Sequence, residues 1–350
     1  MSPGMSSMQR VLTTLGHQEP DRVPLFLLVT MHGARELGVP LREYFHDPAL
    51  IAEGQLRLRA RYGDDCLYGF LYAPLEVEAR GGDVVWVDDG PANSGEPILR
   101  RPEDIRDLQP LRVADAAPLG RALTAIELMK ERVADEAPIV GVVMSPFSLP
   151  VMQMGFDAYI ELMYERPELF ERLMQVNIES CVDWANAQLA AGATAICYFD
   201  PVSASDITPP ERYEQWGGAV ARQTLARIQG PTATHFASGR CLPIVPEVAE
   251  TGTAVVGVSA HEELGRLKAA CAGRLSVLGN LNGIEMCRWT PEEARAAVRA
   301  AIAAAGPGGG FILSDNHGEI PLQVADETLQ EIVAATREYG RYPLTEASGG

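Results

Sequence analysis

Ile139-Val140-Gly141-Val142-Val143-Met144-Ser145, an amphipathic stretch from Tyr159 to Ala190, then Ala195-Ile196-Cys197-Tyr198-Phe199-Asp200: this unit sets the reading of the whole chain. Both short runs are apolar at nearly every position. That pattern suits parallel strands buried on both faces, with a helix crossing between them. The pattern repeats toward the C-terminus at Thr232 to Phe236, Ala254 to Val258, Ser276 to Gly279 and Gly310 to Leu313. Toward the N-terminus it repeats at Val23 to Leu28 and, more weakly, Asp65 to Tyr68. Helical segments separate the runs. Pro291 to Ala305 is one, with Thr290 placed as its N-cap and Pro291 as its first residue.

Eight such alternations imply either a closed parallel barrel or an open doubly wound sheet. No GxGxxG follows any of the strands, so the dinucleotide fingerprint of the open sheet is missing. Gly306-Pro307-Gly308-Gly309-Gly310 precedes a strand instead of opening a helix, and makes a poor phosphate cradle. The expected fold is therefore α/β, a (β/α)8 TIM barrel. Val84 to Val87 and Pro97 to Leu99 interrupt it as a small β-hairpin near residues 84–100. One domain is expected over residues 9–344, with loose tails at 1–8 and 345–350.

The chain has 350 residues and a net charge of −18, from 29 Lys plus Arg against 47 Asp plus Glu. Such a surface repels phosphate backbones and anionic lipid, which argues against a nucleic-acid or membrane-surface partner. The apolar runs are too short to cross a bilayer. The N-terminal residues lack a charged-then-apolar signal pattern, and the six cysteines form no CxxC pair. A cytoplasmic enzyme with reduced thiols is expected.

Polar residues cluster where the strands end. His32 follows the first run, Asp64 and Asp65 flank the second, and Ser145 and Asp200 end the third and fourth. His235, Ser259 and Asn280 end the next three, and Asp315-Asn316-His317-Gly318-Glu319 ends the last. In a (β/α)8 barrel such positions converge on the C-terminal mouth, where catalysis resides. Asp200, Glu214 and His235 offer a mixed oxygen and nitrogen donor set of the kind zinc accepts. The Asp315 to Pro321 segment is too polar for core and reads as catalytic, with His317, Asp315 and Glu319 as its ionisable members. His32, Phe199, Asn280 and Asn316 are candidates for contact with a substrate.

With Gly16-His17-Gln18-Glu19-Pro20-Asp21-Arg22-Val23-Pro24, the run Asp200 to Asp206, and Gly279-Asn280, the chain resembles the uroporphyrinogen decarboxylase superfamily from about Leu12 to Pro343. That superfamily holds decarboxylases and corrinoid-dependent methyltransferases. The decarboxylases carry an Arg-Gln-Ala-Gly-Arg loop for propionates, where this chain has Thr30-Met31-His32-Gly33-Ala34-Arg35. The methylcobamide:thiol methyltransferases bind zinc through His-x-Cys and a later Cys. Here His235-Phe236-Ala237 lacks the first cysteine, and His317 stands about where the second would be.

The best remaining likeness is to the O-demethylase methyltransferases. It implies methyl transfer from a small methylated donor, an aryl methyl ether, to a cob(I)alamin-type corrinoid on a partner corrinoid protein. It also implies zinc on Asp200, Glu214 and His235. Zinc or a protonated His317 would stabilise the departing phenolate, with Asp315 and Glu319 orienting that ring. The alternative is a metal-independent decarboxylase of a small aromatic or pyrrolic acid. A catalytically silent binding barrel is a third reading, disfavoured by the clustered acids and histidines.

Overall fold

The computed structural model describes residues 4–344. Nine strands are present among the described residues: β1 (Leu67–Tyr68), β2 (Val84–Val85), β3 (Asn93–Ser94), β4 (Ile139–Met144), β5 (Ala195–Phe199), β6 (Thr232–His235), β7 (Val255–Gly257), β8 (Ser276–Leu281) and β9 (Phe311–Asp315). Seven of them form one all-parallel sheet in the order β1-β4-β5-β6-β7-β8-β9. Val23 to Leu28 supplies the eighth stave, although its pairing is sparse. Leu25 bridges Leu313 in parallel, and the backbone N–H of Phe26 donates to the Leu313 carbonyl. On its other side the N–H of Asp65 donates to the Leu25 carbonyl. The ring is thus closed, and the (β/α)8 barrel read from the strand alternation is the observed fold.

The helices between strands bury one face on the sheet. Pro167–Ala190 and Pro291–Ala305 both begin at a proline whose missing N–H has no helical partner to lose. Thr290 caps the second as expected: its Oγ1 accepts from Glu293 N at 3.2 Å, while its own N–H donates to the Glu293 carboxylate at 2.8 Å. None of the helices in the described residues is long and apolar enough to cross a membrane.

Three expectations are corrected. The hairpin exists, but β2 pairs with Asn93–Ser94 and not with Pro97 to Leu99. Ser7 and Met8, read as tail, begin the helix Ser7–Leu15, capped by Ser6; residues 345–350 lie outside the described ones. Asp64 and Asp65 belong to the opposite end of the barrel from the mouth, because they precede β1 instead of following it. There Asp65 accepts from Arg10 Nη1 at 2.6 Å, Arg22 Nη1 at 2.7 Å, Ser7 Oγ at 3.0 Å and Leu25 N at 2.9 Å. These bonds strap the Ser7–Leu15 helix beneath the barrel. Its Val11 and Leu15 rise into an interior cluster with Phe26, Leu28, Tyr68 and Cys197.

Candidate active site

The mouth is built around the end of β9. Asp315 is fully buried and is the last residue of its strand. Its Oδ2 accepts from the backbone N–H of His317 at 2.7 Å and of Gly318 at 3.2 Å, while Oδ1 has no partner. Burial pushes this carboxyl up to about 7 against the pull of those N–H groups. Gly318 takes φ of +92°, and a Cβ there would lie 2.6 Å from the Phe199 ring. A glycine is therefore required for the turn that follows. Two residues on from His317, Glu319 is pushed up to about 8 by burial, against the pull of the Met31 backbone N–H, with Asp315 adding to the rise. Its Oε1 has no partner.

The imidazoles are neutral for the same reason. His235 ends β6 beside Phe199, its register partner on β5, and the two rings stack with centroids 5.4 Å apart. The Ala237 N–H donates to His235 Nδ1 at 3.0 Å, so the proton of the neutral ring sits on Nε2, which has no partner. Burial, with His317 second, lowers His235 to about 4. His317 is lowered by its own burial and then by His261. Among the described residues no guanidinium or ammonium acts on Asp315, Glu319, His235 or His317.

Of the expected residues, the structure gathers Asp315, Asn316, His317, Glu319, His235 and Phe199 at one mouth. Asn316 is fully buried, and its Oδ1 accepts from Gly283 N at 3.4 Å. Asn280 joins the rim by donating to the Ser259 carbonyl at 2.9 Å. Asp315 does not orient the His317 ring; it holds that residue's backbone. His32 points elsewhere, into a polar pocket with Arg61, Tyr62 and Asp326. Arg35 is turned aside too, donating to the carbonyls of Leu322 and Val324.

Among the described residues the donor set expected for zinc is not gathered at one point, although Asp200 Oδ2 and His235 Nε2 are both buried without a partner. Asp200 Oδ1 accepts from Ser145 Oγ at 2.5 Å and Ser148 Oγ at 2.7 Å, which spends that oxygen on the loop after β4. Glu214 is exposed, just past the four-residue helix Pro210–Tyr213. Zinc needs three or four donors on one point. No group of three His, Cys, Asp or Glu side chains among the described residues is placed to share an ion.

Sequence reasoning passed over Tyr68. It is buried beneath the mouth, and its hydroxyl donates to the Gly318 carbonyl at 3.0 Å. Its signal was its place as the last residue of β1, the position that had drawn attention to His235 on β6.

The uroporphyrinogen decarboxylase (URO-D) family model matches residues 6–339. The chain belongs to this family. The chain is 26% identical over 221 residues to the methylcobamide:CoM methyltransferase MtaA of Methanosarcina barkeri, a match covering 62% of this chain and 63% of that protein. It thus spans about 63% of the length of the MtaA relatives it matches. A uroporphyrinogen decarboxylase of Alkalilimnicola ehrlichii is 26% identical over 356 residues, covering 89% of each chain. A solved methyltransferase from Methanosarcina mazei superposes with a TM-score of 0.81, at 21% identity, over 96% of this chain and 99% of that one. That likeness shows the fold alone.

Proposed function

We propose that this URO-D barrel transfers a methyl group from a small neutral methylated donor, an aryl methyl ether, to a cob(I)alamin-type corrinoid on a partner corrinoid protein. The observation that carries the reading is Asp315: one oxygen saturated by two backbone N–H groups, the other free, and a carboxyl that burial pushes up to about 7. With Oδ2 occupied as acceptor, the proton belongs on Oδ1. That is a general acid in a water-poor site with no basic side chain to quench it.

The corrinoid supplies the nucleophile. The work left to this chain is to hold the donor and to neutralise the oxygen that leaves. As the methyl C–O bond breaks, the electron pair goes to oxygen. The Asp315 proton then passes to that oxygen, and solvent restores it. Glu319, two residues past His317, is a second acid at the same mouth that burial pushes up, to about 8. Phe199, stacked on His235, offers an aromatic floor for a ring, and His235 Nε2–H is a fixed donor beside it.

The same acid would protonate the carbanion left by decarboxylation, the second activity found in the family. The lack of a cation at the mouth speaks for a neutral substrate over a carboxylate, because an anion buried here would have no partner. The test is to mix the protein with chemically reduced cobalamin and a panel of methoxybenzenes, following loss of the cob(I)alamin spectrum and release of the phenol. Methyl transfer lost in Asp315→Asn supports the reading. No transfer from any donor, with carbon dioxide released from an aromatic or pyrrolic acid, replaces it by the decarboxylase.

A further inference from the structure

The turn that carries Asp315 is tied to the rest of the barrel at three places. The Asn316 N–H donates to the Leu281 carbonyl at the end of β8, and the Ile320 N–H donates to the Leu28 carbonyl on the Val23 to Leu28 stave. Those two bonds fix its ends. Its apex, Gly318, is held by Tyr68, whose hydroxyl donates to the Gly318 carbonyl at 3.0 Å. Among the described residues no other side chain from outside the segment bonds the backbone of residues 315–320. The Tyr68 ring lies edge-on to Phe26, centroids 5.5 Å apart, and 5.6 Å from Phe70, which keeps the hydroxyl aimed. Burial pushes that hydroxyl well above its usual range, so it stays a donor through neutral pH and beyond.

The bond matters because of what hangs from the same glycine. The Gly318 N–H is one of two donors on Asp315 Oδ2, and at 3.2 Å it is the longer, against 2.7 Å from His317. Without the tyrosine hydroxyl the Gly318 carbonyl would be a buried acceptor with no partner, which is costly. Glycine has no side chain to resist a swing of its backbone, so the carbonyl would turn away and its N–H would leave Asp315.

We propose that Tyr68 is a positioning residue of this site: through the Gly318 carbonyl it keeps the apex of the turn in place, the Gly318 N–H on Asp315 Oδ2, and the Asp315 proton on Oδ1. It acts through the turn and not on the substrate. The proposal rests on Asp315 being the acid, as the function above has it, but not on which bond that acid helps to break. The titratable groups facing Asp315 are Tyr68 and, on its own turn, His317 and Glu319; His235 and His261 face His317.

The test is Tyr68→Phe, which keeps the ring and its packing, in protein carrying carbon-13 in its aspartate carboxyl groups, with Asp315→Asn to assign the signal by NMR. Losing an N–H donor disfavours the carboxylate, so Asp315 should titrate about 0.4 to 1 pH unit higher than in wild type, the worth of one hydrogen bond. The alkaline fall of the methyl-transfer rate should move up with it, and kcat should drop about three- to tenfold with the KM for the donor unchanged. Tyr62→Phe, which removes a tyrosine bond to Asp326 away from the mouth, should move none of these. In wild type the Gly318 amide should exchange with deuterium slowly, and this reading needs no variant to fold. An Asp315 titration unmoved in folded Tyr68→Phe, or a wild-type Gly318 amide that exchanges as fast as an open loop, overturns the proposal. A shifted titration in a protein that transfers no methyl group would sink the proposed reaction and leave Tyr68 in its role.

Discussion

Both ends of the barrel bury carboxyl groups, and Asp65 at one end and Asp315 at the other are treated in opposite ways. At the lower end Asp65 faces two arginines and accepts at least five hydrogen bonds, so every lone pair is used. At the mouth Asp315 has one free oxygen and no cation near it, and Glu319 repeats the pattern. A buried carboxylate is tolerable only if paired; an unpaired one takes up a proton instead. Asp65 therefore holds structure, while Asp315 and Glu319 store acidity at a cost in stability. Buried polar groups left without partners are rare enough that several on one rim mark a site.

The strongest way to break this contrast is at the lower end. Asp65→Ala leaves buried Arg10 with Asp21 alone and half-buried Arg22 without its carboxylate, the Ser7–Leu15 helix loosened, and the rim untouched. Stability should fall by about 3–5 kcal/mol, as for other buried ion pairs that lose one member. Chemical denaturation reads it. A loss under about 1 kcal/mol would mean that water reaches this end and that the two ends are not different in kind.

The counterpart at the mouth should do the reverse. Asp315→Asn can still accept from the His317 and Gly318 N–H groups, but it has no proton to give. Turnover should fall by about 10²- to 10⁴-fold, the usual worth of a positioned acid. The stability change has a sign fixed by the raised carboxyl. A group held at about 7 when folded and at 3.8 when unfolded favours folding most below pH 4, and that advantage is lost as pH rises to 7. The asparagine variant should therefore gain on the wild type across this window, and thermal melts at pH 4, 5.5 and 7 would show it. The wild-type rate should be level in acid and fall above pH 7 to 8, where Asp315 and then Glu319 ionise. A rate that instead rises through this range would make Asp315 a base.

These outcomes also bear on what could be read from the residues alone. The barrel was legible because apolar runs such as Ile139 to Met144 are long enough to admit one reading, and their order dictates the ring. Asp315 to Glu319 was legible because five polar or flexible residues after an apolar strand have no other good place. Asp65 was misplaced because a carboxylate beside a two-residue strand looks the same before it as after it; only the pairing with Leu25 tells which end is up. Asp200 was rightly put at a strand end, yet its two serine partners stand 52 and 55 residues earlier, beyond any local pattern. His32 shows the same limit: it follows a strand, but the helix beginning there turns its ring toward Tyr62 and Asp326.

Glu214 gives the smallest expected effect and the sharpest check on where the site ends. Spacing alone set it with twenty residues between it and His235, in the first turns of a helix expected to lean over the mouth. The helix Pro210–Tyr213 instead stops after one turn, and Glu214 follows it with its side chain in solvent. An exposed carboxylate there has no charge to balance and nothing to position. Glu214→Gln should leave folding stability within about 0.5 kcal/mol of wild type, as for most surface changes, and the methyl-transfer rate should stay within two-fold. A tenfold loss of rate with normal folding would place Glu214 inside the working site. The segment after β5 would then have to close over the mouth when substrate or the corrinoid partner arrives, and the acid end of the barrel would be assembled on binding, while the paired end stands ready-made.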